Sequence, residues 1–398
     1  MTSNDTPDHS GSHRSLLWEH ADHSPADIDA IIVPTARPPA YLKEAVGLAA
    51  ALGCTLVTLH SKKWTSAESG ARVVPRSVDL IALDVPDAAR LRLPAWNTSR
   101  LLAPTVFARH TDLSAKRNLG LVLSRLLGWS RILFLDDDIT ALAPADVRQA
   151  SGLLSLHSAV GLQVGGFPDN SMVCHAYKQA GGSQQSFIGG GALAVDVGRC
   201  TSFFPDIYND DWFFLLDGDK SLQSIAVTGQ VRQYPYDPFS VERARAEEFG
   251  DVLAEGIYWL LDRGRTINDA DKGYWDRYLA KRDRFIRRVL DMVVKSGLEP
   301  DEETRRVAAL KASMGRLTLI KSGFCVDYIQ AWTADWQQWQ RHLQRLTVCR
   351  DRDSALAMLS GKGSPGLPRR LAGLAEPVPR KDSPDLTAAG AGLSGGIS

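Results

Sequence analysis

The stretch that decides the fold is Arg131-Ile132-Leu133-Phe134-Leu135-Asp136-Asp137-Asp138-Ile139, in which an apolar run stops at three acids. Such a run is typical of a buried parallel strand, and the acids mark the end at which the strand leaves the sheet. In open α/β sheets, ligands bind at that edge. Three adjacent carboxylates repel one another unless a cation neutralises them, and Mg²⁺ or Mn²⁺ suits oxygen ligands. The stretch therefore predicts a metal site, with a solvated acidic loop or a helix N-cap as the alternative.

The sequence on either side alternates between strand and helix patterns, which predicts an α/β fold with a parallel sheet. Apolar runs predict strands at 31–33, 56–59, 80–83 and 132–135, and helical periodicity covers 40–52 and 113–128. From residue 241 onward the pattern is helical, without a strand-like run. We therefore expect an α/β domain at 28–240 and a helical C-terminal region at 241–374. The tails at 1–27 and 375–398 have the composition of disordered segments.

The overall composition excludes several classes of protein. The 398 residues carry 46 Lys plus Arg against 46 Asp plus Glu, a net charge of +0, which provides no general attraction to nucleic acid or to an anionic membrane. Five scattered cysteines without a Cys-x-x-Cys pair argue against a disulfide framework or a structural zinc site. No segment has the pattern of a signal peptide or a membrane span. We expect a soluble, cytoplasmic protein with no nucleic-acid partner, and the oligomeric state stays open.

Two stretches before the acids carry a further signal: Asp29–Arg37, followed by Pro38, and Ser114–Gly120. The first resembles the first strand and nucleotide-binding loop of the GT-A glycosyltransferases of the family-2 type, and the second resembles their Ala-Arg-Asn-x-Gly helix start. A helix N-terminus with two basic residues is also a good seat for a diphosphate. The resemblance covers about residues 28–235. It implies a GT-A fold, which is a Rossmann-like, mostly parallel sheet flanked by helices.

The same resemblance implies a nucleotide-sugar site at the sheet edge, with Asp136 and Asp138 as metal ligands. The residues expected to contact the nucleotide sugar are Pro34, Thr35, Arg37, Lys116, Arg117, Asp136, Asp137, Gly190 and Gly191. In many family-2 enzymes an acid at the end of the second strand holds the base. This chain has Thr58-Leu59-His60-Ser61 there, so the choice between UDP and GDP stays open.

An acidic pair before an aromatic helix supplies the candidate general base. The run Asn209-Asp210-Asp211-Trp212 resembles the acidic motif of inverting family members, in which the second acid is the base. That position is Asp211, and its like-charged neighbour Asp210 would raise one pKa of the pair. A helix N-cap is the alternative for both acids. On the acceptor side we expect Asp169, Asn170 and Trp212.

Together these residues predict a metal-dependent, inverting glycosyltransferase that moves a hexose, glucose from UDP-glucose, to a hydroxyl of a small-molecule acceptor. A natural-product or aminocyclitol scaffold such as validoxylamine is one possible acceptor. Two alternatives stay open. Asp136, Asp138 and Thr140 also match the Asp-x-Asp-x-Thr of haloacid-dehalogenase-type phosphohydrolases, although that motif opens their core domain and here a long α/β stretch precedes it. A non-catalytic sugar-nucleotide-binding protein would keep the metal motif without a working base.

Overall fold

A computed structural model describes residues 12–19, 23–86, 90–165, 171–185, 187–218, 221–359 and the backbone of 369–372. The strands are β1 (Trp18–Glu19), β2 (Ala30–Thr35), β3 (Thr55–His60), β4 (Leu80–Asp84), β5 (Arg131–Leu135), β6 (Ile139–Thr140), β7 (Ala159–Gly165), β8 (Ala192–Asp196), β9 (Ile225–Gln233) and β10 (Arg369–Ala372). The helices are α1 (Lys43–Leu52), α2 (Ala67–Val73), α3 (Asn97–Leu102), α4 (Leu113–Leu126), α5 (Pro144–Leu153), α6 (Met172–Gln179), α7 (Asp210–Leu215), α8 (Val241–Leu261), α9 (Lys272–Lys295), α10 (Pro300–Leu317), α11 (Ser322–Leu343) and α12 (Arg352–Leu359). None of the helices in these ranges is long and apolar enough to cross a lipid bilayer.

The strands form one sheet in the order β1-β9-β7-β8-β5-β2-β3-β4-β10, with β6 paired to β9. Strands β2, β3, β4, β5, β7 and β9 run in one direction, whereas β8 runs in the opposite direction between β5 and β7. The chain proceeds from β2 through β3 to β4 and then returns to β5 on the other side of β2. A topological switch point therefore lies between β2 and β5. The predicted α/β fold with a mostly parallel sheet flanked by helices is confirmed.

Helices cover both faces of the sheet because successive residues of a strand point to opposite sides. On β2, Ile32 packs into one core, whereas Ile31 and Val33 pack into the other. The first core contains side chains of α3, α4 and α6 to α12, and the second contains side chains of α1, α2 and α5. Gly120 lets α4 lie close against β2, since a Cβ at this position would be 2.9 Å from Ile32 Cγ2. This close packing sets the position of the N-terminus of α4.

The C-terminal helices extend the core that covers one face of the sheet. They begin with α8 at Val241, at the predicted residue. Trp332 of α11 is completely buried and packs against Phe213 of α7, with ring centroids 5.9 Å apart. The region 241–374 also contains β10, which pairs with β4 and which the sequence pattern did not indicate. An edge strand of four residues obtains its hydrogen bonds from a distant partner and leaves little local pattern.

The prediction that residues 1–27 form a disordered tail is wrong for the parts that the structure describes. Strand β1 pairs in parallel with β9, and the backbone N–H of Ala26 donates to the carbonyl of Arg148 over 3.0 Å. His13 is 3% exposed and is bonded to Asp262, 249 positions away. Because these partners are distant in sequence, no local sequence pattern indicates their contacts. The predicted tail at 375–398 lies outside the described residues.

Candidate functional site

Four chain segments converge on the carboxyl edge of the sheet at the switch point. Strand β2 ends there with Thr35, β5 is followed there by Asp136, and β9 ends there with Gln233. Because β8 is antiparallel, its first residue lies at the same edge, directly after Gly191. The backbone N–H of Asp136 donates to the carbonyl of Gly191 over 2.8 Å. The fold therefore brings together the acids and the glycine run that the sequence singled out.

Asp137 and Asp138 are bonded to the loop after β2. Thr35 Oγ1 donates to Asp137 Oδ2 over 2.6 Å, and Arg37 Nη1 donates to Asp137 Oδ1 over 2.6 Å. The other terminal nitrogen of Arg37 donates to Asp138 Oδ2 over 3.1 Å. Burial raises the pKa of Asp137, against the hydrogen bond from Thr35 and the charge of Arg37. The side chain of Arg37 is 43% exposed, so this cation lies on the solvent side of the acids.

Arg117, in the first turns of α4, is the buried cation of the site. Its side chain is 3% exposed, and Nη2 donates to both carboxylate oxygens of Asp136 over 3.0 Å. Nη1 donates to Asp210 Oδ1, also over 3.0 Å. Burial opposes the charged guanidinium, but Asp136 and Asp210 raise the pKa of Arg117 above its ordinary value. Burial raises the pKa of Asp136 to about 7, with Arg117 acting in the opposite direction.

Lys116 points between β2 and β3. Its Nζ donates to the carbonyl of Thr35 over 2.8 Å and to Ser61 Oγ over 2.6 Å, and lies 3.3 Å from Asp112 Oδ1. Burial lowers the pKa of Lys116, although Asp112 opposes the shift. The sequence predicts that Lys116 and Arg117 contact the phosphates of a nucleotide. In the structure their hydrogen bonds go to protein oxygens, so both residues hold the loop after β2 and the acids in place.

The acidic pair at the start of α7 is split between two environments. Asp210 is buried and accepts from Ser114 Oγ over 2.9 Å in addition to its bond from Arg117. Asp211 is half-buried, and its oxygens accept from the backbone N–H groups of Gly190, over 2.6 Å, and Trp212, over 2.9 Å. The N-cap of α7 is Asn209, so neither acid occupies the capping position. Asp210 thus belongs to the buried ion-pair network and Asp211 is bonded by backbone N–H groups, and both acids line a cavity at the start of α7.

A cavity with about 1070 Å³ of empty volume, part of it open to solvent, lies along these residues. One part of its wall is formed by Arg117, Asp136, Gly190 and Gly191, and another by Ser12, Phe187, Trp212, Asp251 and Glu255. Asp211 belongs to the same wall and contacts both parts through its bonds to Gly190 and Trp212. The cavity therefore extends from the edge of the sheet to a region lined by acidic side chains of α8 and by aromatic side chains.

The oxygen donors of the acidic turn have the chemistry that Mg²⁺ and Mn²⁺ prefer. Both oxygens of Asp136 accept from Arg117, and Asp138 Oδ2 accepts from Arg37 and from Gln233 Nε2. A carboxylate offers about four lone-pair sites, so Asp136 and Asp138 retain acceptor capacity. Among the described residues, no group of three or more His, Cys, Asp or Glu side chains converges on a common point. A metal ion held by Asp136 and Asp138 would therefore take its other ligands from water or from a bound phosphate.

Three sequence-based candidates remain, and two residues of the cavity wall were missed. Asp169 and Asn170, predicted on the acceptor side, lie outside the described residues. Pro34 is buried within β2. Asp251 and Glu255, which line the cavity from α8, were not identified from the sequence. Their spacing of four residues, which places two acids on one face of a helix, was the available signal.

A scan against known protein families finds no match, and none of the curated proteins matches. A search of solved structures finds the mannosyltransferase PcManGT from Pyrobaculum calidifontis, in complex with GDP-Man and Mn²⁺. The alignment covers 83% of this chain and 92% of that chain, with 14% sequence identity and a TM-score of 0.38. A similarity this low assigns neither fold nor activity to this chain.

Substitution of Gly190 tests the close packing at the centre of the site. A Cβ at this position would lie 2.9 Å from Arg117 Cζ and 2.9 Å from Asp211 Cβ, so Gly190→Ala must displace both neighbours or shift the backbone of residue 190. We expect a loss of about 1–3 kcal/mol in the free energy of unfolding, the usual cost of overpacking. Gly191→Ala is the matched control, because its nearest contact, Ile139 Cδ1, is at 3.3 Å. Urea unfolding of both variants measures the difference, and equal losses would contradict the described packing.

Proposed function

We propose that the protein is a GT-A glycosyltransferase that binds a nucleoside-diphosphate sugar at the switch point and transfers its hexose to a small-molecule hydroxyl. The observation that carries the proposal is that Asp211 and the metal-ligand candidate Asp136 line one cavity. Arg117 bonds Asp136 and Asp210, which fixes the spacing between the two acidic segments. A diphosphate at Asp136 would place the anomeric carbon of its sugar in the cavity that Asp211 faces.

The charges at the switch point support a divalent cation together with the donor. Four carboxylates, those of Asp136–Asp138 and Asp210, surround two guanidinium groups, Arg37 and Arg117. With Asp211, which also acts on Arg117, the carboxylates outnumber the guanidinium groups. An Mg²⁺ or Mn²⁺ ion with Asp136 and Asp138 as its protein ligands would offset this excess. When bound, such an ion acts as a Lewis acid that neutralises the diphosphate as it leaves. Arg37, half-exposed beside Asp138, is positioned to bind the same phosphates.

Two exposed tyrosines near Arg37 are candidates for binding the base. Tyr41 is 42% exposed and Tyr234 is 49% exposed, with ring centroids 6.3 Å apart, and Arg37 lies over the ring of Tyr41. Bases stack on such faces irrespective of sequence, which contributes about 1–3 kcal/mol per base in single-strand binding proteins. His60 cannot take the place of the acid that holds the base in many family-2 enzymes, because it is completely buried and bonded to Thr65. Discrimination between UDP and GDP is therefore weak in this proposal, and a UDP-hexose such as UDP-glucose remains the expected donor.

Asp211 acts as the general base in this proposal. The two backbone N–H groups that bond it fix the orientation of its carboxylate toward the cavity. The carboxylate removes the proton of the acceptor hydroxyl as the oxygen attacks the anomeric carbon, and the nucleoside diphosphate leaves from the opposite face. One displacement with one base inverts the anomeric configuration. Asp210 keeps Arg117 and Ser114 in place, and because its two oxygens accept from these side chains, the proposal assigns the proton transfer to Asp211.

The phosphohydrolase alternative has less support. Its motif would require Thr140 beside the nucleophile Asp136, but Thr140 lies in β6 and its hydroxyl donates to the carbonyl of Arg232 over 3.2 Å. Both oxygens of the proposed nucleophile accept from Arg117, which reduces their nucleophilicity. A protein that hydrolyses p-nitrophenyl phosphate rapidly and transfers no sugar would nevertheless favour this alternative.

Asp138→Asn tests the role of the acidic turn. Losing one of two anionic ligands should abolish Mn²⁺-dependent binding of UDP and sugar transfer from UDP-glucose, without lowering the melting temperature by more than a few degrees. Calorimetry with UDP, with and without Mn²⁺, measures the binding. Asp146→Asn, on α5 and outside the acidic turn, is the control. Full transfer by the Asp138 variant, or by the wild type in excess chelator, would refute a metal role for this acid.

Asp211→Asn tests the base. The variant should bind the donor with unchanged affinity, because the base contacts the acceptor, whereas kcat should fall by roughly two to four orders of magnitude. Asp210→Asn should lower stability more and kcat less, since Asp210 is part of the ion-pair network. Initial rates with UDP- and GDP-hexoses, and the anomeric configuration of the product by NMR, measure both points. A product with the configuration of the donor contradicts the single displacement, and normal turnover of Asp211→Asn contradicts the base.

A further inference from the structure

The N-terminal segment, residues Ser12–Glu19, is fixed to the rest of the fold at both ends. At its C-terminal end, β1 extends the sheet beside β9, with Trp18 opposite Ala226. At its N-terminal end, Ser12 Oγ accepts from the backbone N–H of Gln185 over 2.9 Å. Ser12 also belongs to the cavity wall. The segment thus runs from the edge of the sheet to the cavity.

His13 is the buried centre of this segment. Its Nε2 lies 3.2 Å from Glu255 Oε2, and its Nδ1 bonds Asp262 Oδ2. Its backbone is left-handed, with φ at 51°, a conformation that non-glycine residues adopt rarely. Burial alone would lower the pKa of His13, but the hydrogen bonds to Asp262 and Glu255 raise it to about 9. At neutral pH the ring therefore carries a positive charge and donates from both nitrogens.

The ring of His13 also packs against an aromatic cluster, Phe187, Trp212 and Tyr258. Its centroid is 5.5 Å from that of Trp212, 5.6 Å from that of Tyr258 and 6.2 Å from that of Phe187. Tyr258 OH donates to the carbonyl of Trp212 over 2.9 Å. Phe187 and Trp212 line the cavity, and Trp212 follows the candidate base in sequence. His13 therefore contacts two kinds of side chain that line the cavity: the aromatic rings of Phe187 and Trp212, and the carboxylate of Glu255.

We propose that the N-terminal segment completes the acceptor subsite and that His13 is a positioning residue that holds Trp212 and Glu255 against the acceptor. The subsite combines aromatic faces with the carboxylate of Glu255 and with that of Asp251, which is held by bonds from Asn209 and Arg282. Such a wall fits a small hydroxylated ring, whose C–H face packs on the aromatic groups and whose hydroxyls donate to the carboxylates. This inference rests on the proposed function and names the side of the cavity where the acceptor binds.

The proposal predicts that a substitution of His13 weakens binding of the acceptor and leaves binding of the donor unchanged. In His13→Gln, the KM for the acceptor should rise about tenfold, which corresponds to one charge-assisted hydrogen bond. The Kd for UDP with Mn²⁺ should stay unchanged. Ser15→Ala is the matched control, because Ser15 Oγ donates to the same Asp262 from the same segment and Ser15 is not part of the cavity wall. Its acceptor KM should equal that of the wild type.

The experiment uses the full chain with saturating UDP-glucose, methyl glucosides and myo-inositol as probe acceptors, and calorimetry with UDP and Mn²⁺ on the same preparations. Glu255→Gln, which keeps an acceptor facing His13, provides a second variant should His13→Gln fail to fold, and should show the same increase in acceptor KM. An unchanged acceptor KM in a folded variant overturns the inference, as does an equal loss of UDP affinity. If the wild type neither binds UDP nor transfers glucose to any probe, the proposed function is refuted. The inference, which rests on that function, is then refuted as well.

Discussion

The geometry of the site depends on the ion pairs of Arg117. Its guanidinium joins the end of β5 to the start of α7 through Asp136 and Asp210, and the three side chains come from segments far apart in sequence. Removing one partner from a buried ion pair costs about 3–5 kcal/mol, because the other charge stays buried without compensation. A domain is stable by only about 5–15 kcal/mol, so the loss of either partner would remove a large part of the stability and would also disturb the position of Asp211.

The cations of the site differ in burial, and their bonding partners differ accordingly. Lys116 and Arg117 are 2% and 3% exposed and bond protein oxygens, so they form the rigid base of the site. Arg37 is half-exposed, whereas its partners Asp137 and Asp138 are only 8% and 14% exposed, and the proposed function assigns this cation to the phosphates. The antiparallel strand β8 completes the arrangement, because its start brings Gly190 to the edge at which the other strands end. Without a side chain, Gly190 leaves room for Arg117 and its backbone N–H orients Asp211.

Much of this arrangement could be predicted from the sequence, because the features involved are local. An apolar run followed by Asp136–Asp138 predicts a buried strand that ends at the carboxyl edge of the sheet, and the acidic pair at 210–211 forms the first two residues of α7. The partners of charged residues could not be predicted in the same way. The bonds of Arg117 to protein carboxylates and the burial of His13 depend on residues brought together only by the tertiary fold. Glu255 appears in the sequence as an ordinary acid on a long helix.

The central claim is that Asp136 and Asp138 hold a divalent cation and a nucleoside diphosphate at the switch point between β2 and β5. Its most direct test is a crystal grown with UDP and Mn²⁺, with diffraction data collected at a wavelength at which manganese scatters anomalously. We predict one strong anomalous peak between the two carboxylates, with the diphosphate of UDP beside it and Arg37 turned toward the phosphates. A manganese peak elsewhere, or a diphosphate bound away from these acids, would contradict the account.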